Sequence, residues 1–531
     1  EGNKRRKDQH ENYLIIKKRR FMFKNHPKGL ISAALANMGE RFGFYIMMAI
    51  LLLFLNNKFG FTGSEGAIIY SVFYALIYVL ALVGGLIADK TRKYKSTILV
   101  GLLLMTIGYL LLAIPTKTPV ENMPLILALT CFGLFSIAFG NGLFKGNLQA
   151  VVGQLYDNPK YEDKREVGFQ IFYMFINVGA MFAPLMAVGL RNWWVKSNGF
   201  EFNADLPRLC NQWASGSDAM TADAKVRFAE LATQVGGDAS NLDIFAKEYL
   251  NIFMQGYHYS FGIAIIAMVI SLTIFIINKK KLPDPSQKKV EASTASNAAV
   301  EMDAKEVKQR LYALFAVFAV VIFFWFSFHQ NGQSLTLFAN DYTKMLNINL
   351  GFTTLQGAEV FQAFNPIFVV FLTPIVIGLF GWLKSRGLEI STPKKIAIGM
   401  GIAAAAFAVM SLGSIGLPSA AERLASGGIP DAMRVTPWLL IGTYLILTVA
   451  ELFISPLGIA FVSKVAPPKY QGIMQGGWLS ATALGNQLLF IGVIFYNSIP
   501  VWATWTIFVA ACLISMFTMI FMLKWLERVA K

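Results

Sequence analysis

Apolar blocks recur along the chain with short polar gaps between them, and each is long enough for a bilayer-spanning helix of about 20 residues. They run over 29–57, 64–89, 95–115, 122–154, 165–190 and 249–277, then over 308–340, 357–383, 394–415, 435–464, 470–496 and 500–526. The polar stretch at 278–310 splits them six and six, and its Pro, Ser and Lys content reads as a solvated linker. The pattern predicts an all-α membrane protein of about twelve transmembrane helices in two six-helix halves. Its parts are a basic N-terminal segment (1–28), a first bundle (29–277), a linker (278–307) and a second bundle with a short tail (308–531). The gap at 191–248 is not short. Within it DAKVRFAELATQV and DIFAKEYLNIF have helical spacing, which predicts a small helical cap outside the membrane.

Composition agrees: of 531 residues 55% are hydrophobic and 15% charged, against about 45–50% and about 25% in soluble domains. The net charge of +16 is explained by where it lies. KRRK and KKRR at the N-terminus, ADKTRKYK, KSRGLEISTPKK, SKVAPPKY and the KWLERVAK tail all fall on one side of the twelve crossings. The positive-inside bias makes that side cytoplasmic, with both termini there, in a plasma membrane such as a bacterial inner membrane. The charge is a topology signal and not a nucleic-acid surface. No signal peptide is recognisable. Three scattered cysteines make no disulfide framework; Cys131 and Cys512 read as small core hydrophobes. The four histidines are dispersed, and no nucleophile–base or metal-ligand cluster supports an enzyme.

The chemistry lies in charges that the bilayer disfavours. Glu40 and Arg41 are roughly 15 Å in from the start of their helix, and Lys145 is at a similar depth. Glu451 is roughly 20 Å above Lys464, and His329 is farther out in the seventh segment. An isolated charge at the centre costs about 2.5–3.5 kcal/mol on insertion scales. Either the acids and bases cancel in structural ion pairs, or they face a polar central cavity. Such a cavity is amphoteric: Arg41 and Lys145 suit a carboxylate, and Glu451 suits an ammonium. Tyr45, Tyr78, Phe44 and Trp478 would give it apolar walls with polar tips. Asn147, Asn177 and Asn365 either serve it or bond between helices, and His329 also fits a satisfied core histidine.

Motifs across nearly the whole chain resemble the proton-coupled oligopeptide transporter family of the major facilitator superfamily. NMGERFGFY is similar to its ExxERFxYY, GGLIADKTRKY to GGxxADR, GNGLFKGN to GxGxxKPN, and FQIFYMFINVGAMFAP to FYxxINxGA. In the second half FWFSFHQNGQSL is similar to FWxxFEQxGSS, FQAFNPIFVVFLTP carries the Asn-Pro pair of span eight, and AELFISPLG is similar to ELxxSPxG. The resemblance implies a major facilitator fold and import of di- and tripeptides by proton symport, with protons as the coupling ion and no cofactor or metal. It implies that Arg41 and Lys145 receive the peptide C-terminus and Glu451 the N-terminus. Asn177, Asn365, Tyr45 and Tyr78 would hold backbone amides, and Trp325 and Trp478 would line side-chain space. Glu40 would couple protons together with Lys145, and Asp89 would stabilise the cytoplasmic helix interface. The partners implied are peptide, protons and lipid, with the chain a monomer.

Four positions depart from the pattern. Asn37 replaces the first Glu of ExxER, Phe44 the first Tyr of the pair, Gly146 the Pro after the lysine, and His329 the Glu of span seven. In the family that Glu pairs with the span-one arginine, so here Arg41 would face an imidazole. Imidazole titrates near neutrality, which suggests His329 as a titrating gate in a modified proton network. Transport of nitrate or another small anion, and a transport-inactive peptide sensor, stay open as alternatives. Glu451 favours a peptide over nitrate, because an anion site has no use for an acid opposite its bases.

Overall fold

The computed structural model describes residues 26–161, 164–216, 220–283, 303–388, 390–467 and 470–530. The basic N-terminal runs and most of the linker lie outside them. Among the described residues twelve helices are long and apolar enough to cross a membrane. In the first half they are span one (Gly29–Phe59), two (Glu65–Thr91), three (Tyr94–Ala113), four (Met123–Leu155), five (Arg165–Ser197) and six (Leu242–Asn278). In the second half they are span seven (Ala304–Tyr342), eight (Ala358–Ser385), nine (Thr392–Gly413) and ten (Pro437–Val465). Span eleven is Gln471–Gln487 continued by Leu489–Ser498, and span twelve is Val501–Val529. Large apolar side chains such as Leu86, Phe132, Phe371 and Phe521 point outward and exposed, as a lipid-facing surface requires.

Both halves use one pairing scheme. Span one packs on five and six, and three on four and six; likewise seven packs on eleven and twelve, and nine on ten and twelve. Between the halves, two meets eleven and five meets eight, which is what a pseudo-two-fold relation of the halves produces. Small residues let the backbones approach. A Cβ at Gly140 would sit 2.5 Å from the Gly101 carbonyl, and one at Gly108 2.6 Å from that of Gly133. Spans three and four therefore touch at two glycine pairs two turns apart, the small-residue contact that drives helix packing in lipid.

The helices define two faces. The basic face carries the loops around 90–93, 384–388, 390–395 and 464–467; the cap face carries 198–216, 220–241, 343–357 and 414–436. The cap differs from the expected one. Ala222–Gln234 is a separate helix that buries Ala224, Phe228, Leu231 and Ala232 as one stripe. DIFAKEYLNIF instead opens span six, which begins at Leu242, because its apolar periodicity runs unbroken into the membrane segment. A further helix, Leu206–Ser215, has too few residues for its period to stand out. The all-α expectation gains one exception, a hairpin pairing Ile348–Asn349 with Thr354–Leu355. Cys512 is buried as expected, but Cys131 is exposed on span four.

Span seven is broken. Its helix runs to Phe328, continues as a 3-10 turn over His329–Gly332, and resumes at Ser334. A Cβ at Gly332 would lie 2.1 Å from the Tyr70 hydroxyl of span two, so glycine permits the crossing. Just past the break, Gln333 Nε2 donates to Ser71 Oγ at 2.8 Å and to the Ala67 carbonyl at 3.1 Å.

Candidate functional site

Counted from the basic-face ends of their helices, Arg41 is twelve residues from Gly29, Lys145 ten from Leu155 and Tyr78 thirteen from Thr91. Asn177 is twelve from Arg165, and Glu451 is fourteen from Val465. At 1.5 Å per residue these groups share one layer, roughly 15–20 Å deep. The layer is electrostatically connected. Tyr45 is within reach of the charges of Arg41 and Glu40 on its own helix and of Glu451 from the other half. Tyr78 is within reach of Arg41 and Glu451, and Lys145 of Arg41 and Glu40. Lys145, Glu451, Tyr45, Tyr78 and Asn365 are half-buried in this layer.

Glu40 and Arg41 neutralise each other. Arg41 Nε donates to Glu40 Oε2 at 2.5 Å and Nη2 to Oε1 at 2.6 Å, and Asn141 Nδ2 donates to the same Oε1 at 2.7 Å. Successive helical side chains point apart, so the long Arg41 stem folds back to make this bidentate pair. Its Nη1 bonds no described residue, and its guanidinium lies 4.6 Å from the centre of the Phe44 ring. Glu40 was expected to balance Lys145; in the structure Arg41 and Asn141 hold it.

Lys145 and Glu451 have no such relief. No described carboxylate lies within 4 Å of Lys145, whose Nζ is 5.0 Å over the Tyr78 ring. Glu451 accepts 2.9 Å from Asn365 Nδ2, which also reaches Thr448 Oγ1 at 3.0 Å, and no described base pairs with it. The structural-cancellation alternative therefore describes half of the cluster. The other half keeps an unpaired cation on the first bundle and an unpaired anion on the second.

The remaining expected residues are placed as follows. Asn177 donates to the Tyr173 carbonyl of its own helix at 3.1 Å. Asp89, at the basic-face end of span two, accepts from the Tyr94 hydroxyl at the start of span three. Asn147 ties span four to the Gly84 carbonyl of span two at 3.1 Å. Trp478 packs against Phe318 and over Gly458, where a Cβ would meet its ring at 1.9 Å. Trp325 stacks on the His329 ring, centroids 4.8 Å apart. Both tryptophans are buried, packed against their own half.

Asn141, Tyr74, Tyr173 and Thr448 were not anticipated. Each lies three or four residues before an anticipated group (Lys145, Tyr78, Asn177 and Glu451) and so shares its helix face; that periodicity was the available signal.

Over residues 95–300 and 285–504 the chain matches the family model described as the POT family. The chain belongs to the POT family. Among its curated relatives are peptide transporter YePEPT of Yersinia enterocolitica, 29% identical over 485 residues and covering 87% of each chain. Dipeptide and tripeptide permease B of Xenorhabdus bovienii is 27% identical, covering 87% of this chain and 86% of that one. Solved POT structures share the fold. A peptide transporter in complex with sulfate superposes with TM-score 0.68 at 22% identity over 96% of each chain. A POT family transporter in complex with 5-aminolevulinic acid superposes with TM-score 0.68 at 19% identity, over 96% of this chain and 98% of that one. The fold is thus that of the major facilitator superfamily, and the chain is a multi-pass member of a transporter family, not an enzyme.

At three positions that depart from the POT pattern no ion pair forms among the described residues. Asn37 is buried with Nδ2 unpartnered, and Gly146 faces open space. His329 does not meet Arg41. Its Nδ1 is 2.5 Å from Asn486 Oδ1 of span eleven, and its ring lies between Trp325 and Tyr74, the latter 4.9 Å away on span two. His329 still follows the helix, its N–H on the Trp325 carbonyl one turn earlier and its ring stacked on Trp325, and that face of span seven turns it to Asn486.

Proposed function

We propose that the chain is a secondary transporter importing di- and tripeptides with protons by alternating access, as a monomer whose basic face is cytoplasmic. The observation that supports this most is the pair of unmatched charges, Lys145 and Glu451, offered from opposite halves at one depth. A zwitterionic peptide supplies the counter-charge to each. Its carboxylate would take Lys145 and the free Nη1 edge of Arg41, its ammonium Glu451. Asn365, Tyr45, Tyr78 and Asn177 would meet the peptide amides, with Trp325 and Trp478 shaping the space beyond.

The Glu40–Arg41 pair suggests how a proton couples to the substrate. While Glu40 is ionised it occupies two Arg41 donors. A proton on Glu40 releases Nε and Nη2 for the carboxylate, so proton and peptide each favour the binding of the other, as linkage requires. His329 is proposed as a second titrating group: it touches Tyr74 across the halves, and its protonation would place a cation within reach of Lys145. Asp89 would steady the basic-face end of spans two and three as the halves move.

The test is uptake of labelled dialanine into liposomes under an imposed pH gradient, with nitrate as competitor. Accumulation insensitive to nitrate supports the proposal. Accumulation blocked by nitrate points to an anion transporter, and binding without accumulation to a sensor. In His329→Gln, uptake that kept its full dependence on the gradient would remove His329 from the coupling scheme.

A further inference from the structure

Away from the central layer, a cavity of about 400 Å³ opens at the cap face between the two halves. One wall comes from the end of span one and the helix Leu206–Ser215; the other comes from the end of span seven and the helix Ala420–Ala425. Two arginines line it, one from each half: Arg208 and Arg423.

Neither guanidinium is saturated. Arg208 Nη2 is shielded from solvent and has no partner, and its Nη1 reaches only Gln212 Oε1, at a long 3.4 Å. No described carboxylate lies within 4 Å of Arg208. Arg423 is buried, and its Nη2 pairs with Asp341 at 3.0 Å, yet its Nε and Nη1 are buried without partners. Asp341 has little left to give, because it also accepts from the Tyr496 hydroxyl at 3.1 Å and from Asn340. Asp205 is taken by Arg434 at 2.7 Å. Three guanidiniums (Arg208, Arg423 and Arg434) thus share two buried carboxylates. Among the described residues the other nearby acids do not make up the difference: Glu422 caps its own helix at Ser419, and Asp431 is 91% exposed beside Arg434. Burial, with help from the Arg423 charge, pulls the Arg208 guanidinium down to about 10. It therefore stays charged at neutral pH in a place that disfavours the charge.

We propose that this cavity binds one small oxyanion (a carboxylate, sulfate or phosphate group) bridging Arg208 and Arg423. An oxyanion accepts from several N–H groups at once, which suits two under-paired guanidiniums on the wall of one cavity. Gln212, Asn340 and Asn497 add neutral amides to the wall. Arg208 moves with the first half and Arg423 with the second, so the anion binds the arrangement in which the cap face is closed and favours it over an open one. The site is independent of the central peptide site.

The test is thermal denaturation of the full chain in nanodiscs, titrated with sodium sulfate and separately with dialanine, at constant ionic strength. Arg41→Gln serves as control for anions in the central layer. Sulfate is expected to raise the midpoint of the wild type and of Arg41→Gln alike. Arg208→Gln should weaken the apparent sulfate affinity at least about tenfold, the loss expected for a charge-assisted contact. Gln212→Glu, which places a carboxylate in the cavity, should abolish the sulfate response while raising the anion-free midpoint, and it guards against misfolding of the arginine variant. If Arg208→Gln also removes part of the dialanine response, the oxyanion includes a peptide carboxylate; if it removes only the sulfate response, it is a free inorganic anion. A wild-type sulfate response in both Arg208→Gln and Gln212→Glu overturns the proposal. So does a response abolished by Arg41→Gln.

Discussion

Two buried arginine–glutamate pairs in this molecule have the same chemistry and opposite geometry. Glu40 and Arg41 are neighbours on one helix, in the central layer. Arg191, at the cap-face end of span five, pairs with Glu359 in the turn that opens span eight, so this pair ties one half to the other. Arg191 is also held at 3.0 Å by the Tyr257 hydroxyl and at 3.1 Å by the Gln356 carbonyl, with the Phe202, Phe253 and Tyr257 rings around it. Beside it Asn192 donates to the Thr354 and Gln356 carbonyls, both at 2.8 Å. A pair within one helix does not sense the relative motion of the halves; only a proton or a competing anion opens it. A pair across the halves must break whenever the cap face opens. The first is suited to be a chemical switch and the second a conformational latch.

The latch belongs to a wider asymmetry. Among the described residues, the hydrogen bonds and ion pairs between the halves lie toward the cap face: Arg191–Glu359, Arg434–Asp205, Gln333 to Ser71 and Ala67, Gln362 to Ala49, and Thr353 to Gly189.

The largest expected effect follows from breaking the latch. Glu359→Gln leaves Arg191 buried with its charge uncompensated, which costs about 3–5 kcal/mol in comparable buried pairs. Here the cost is borne by the closed cap face. Spin labels at the exposed positions Ser197 and Ser426 should move apart in the variant, with a lower thermal midpoint. An unchanged distance distribution would reduce the pair to local packing and dissolve the contrast with Glu40–Arg41.

The central layer gives the next effect. Lys145→Gln and Glu451→Gln each remove one unmatched charge, and each should weaken dialanine binding by about 1.5–3 kcal/mol, roughly tenfold to a hundredfold. The two variants should separate by ligand. C-terminally amidated dialanine should lose its sensitivity to Lys145→Gln, and N-acetylated dialanine its sensitivity to Glu451→Gln. Equal losses on both modified peptides would mean that the charges shape the cavity without gripping the termini.

How far the sequence foretold this contrast depends on spacing. The twelve apolar segments set the spans because hydropathy reads directly onto a bilayer, and charges deep inside them singled out Glu40, Arg41, Lys145 and Glu451. The latch escaped notice because Arg191 and Glu359 sit at the ends of apolar segments, where charges are ordinary, and 168 residues separate them. The local Glu40–Arg41 pairing escaped because helical geometry sets adjacent side chains apart, and only the length of the arginine stem defeats that rule. That His329 faces Arg41 follows from the family resemblance alone; in the structure its imidazole meets Asn486 of span eleven, a partner 157 residues away that no local pattern marks.

The switch itself is tested by Glu40→Gln. Glutamine mimics the protonated acid in shape and charge, so Arg41 should be permanently available. Dialanine should bind at least as tightly as to the wild type, while accumulation driven by the pH gradient falls toward simple equilibration. Tight binding with normal accumulation would move the coupling proton elsewhere, to Glu451 or His329.

The smallest effect is expected at His329. A neutral hydrogen bond to Asn486 contributes about 0.5–1.5 kcal/mol, so His329→Gln should change dialanine affinity by about tenfold at most. Its value lies in the slope of uptake against pH. If His329 carries a coupling proton, the slope should flatten in the variant while Asn486→Ala, which leaves the imidazole in place, keeps a slope. If both variants keep the wild-type slope, the imidazole only packs Trp325 against Tyr74, and the coupling chemistry rests with the carboxylates of the central layer.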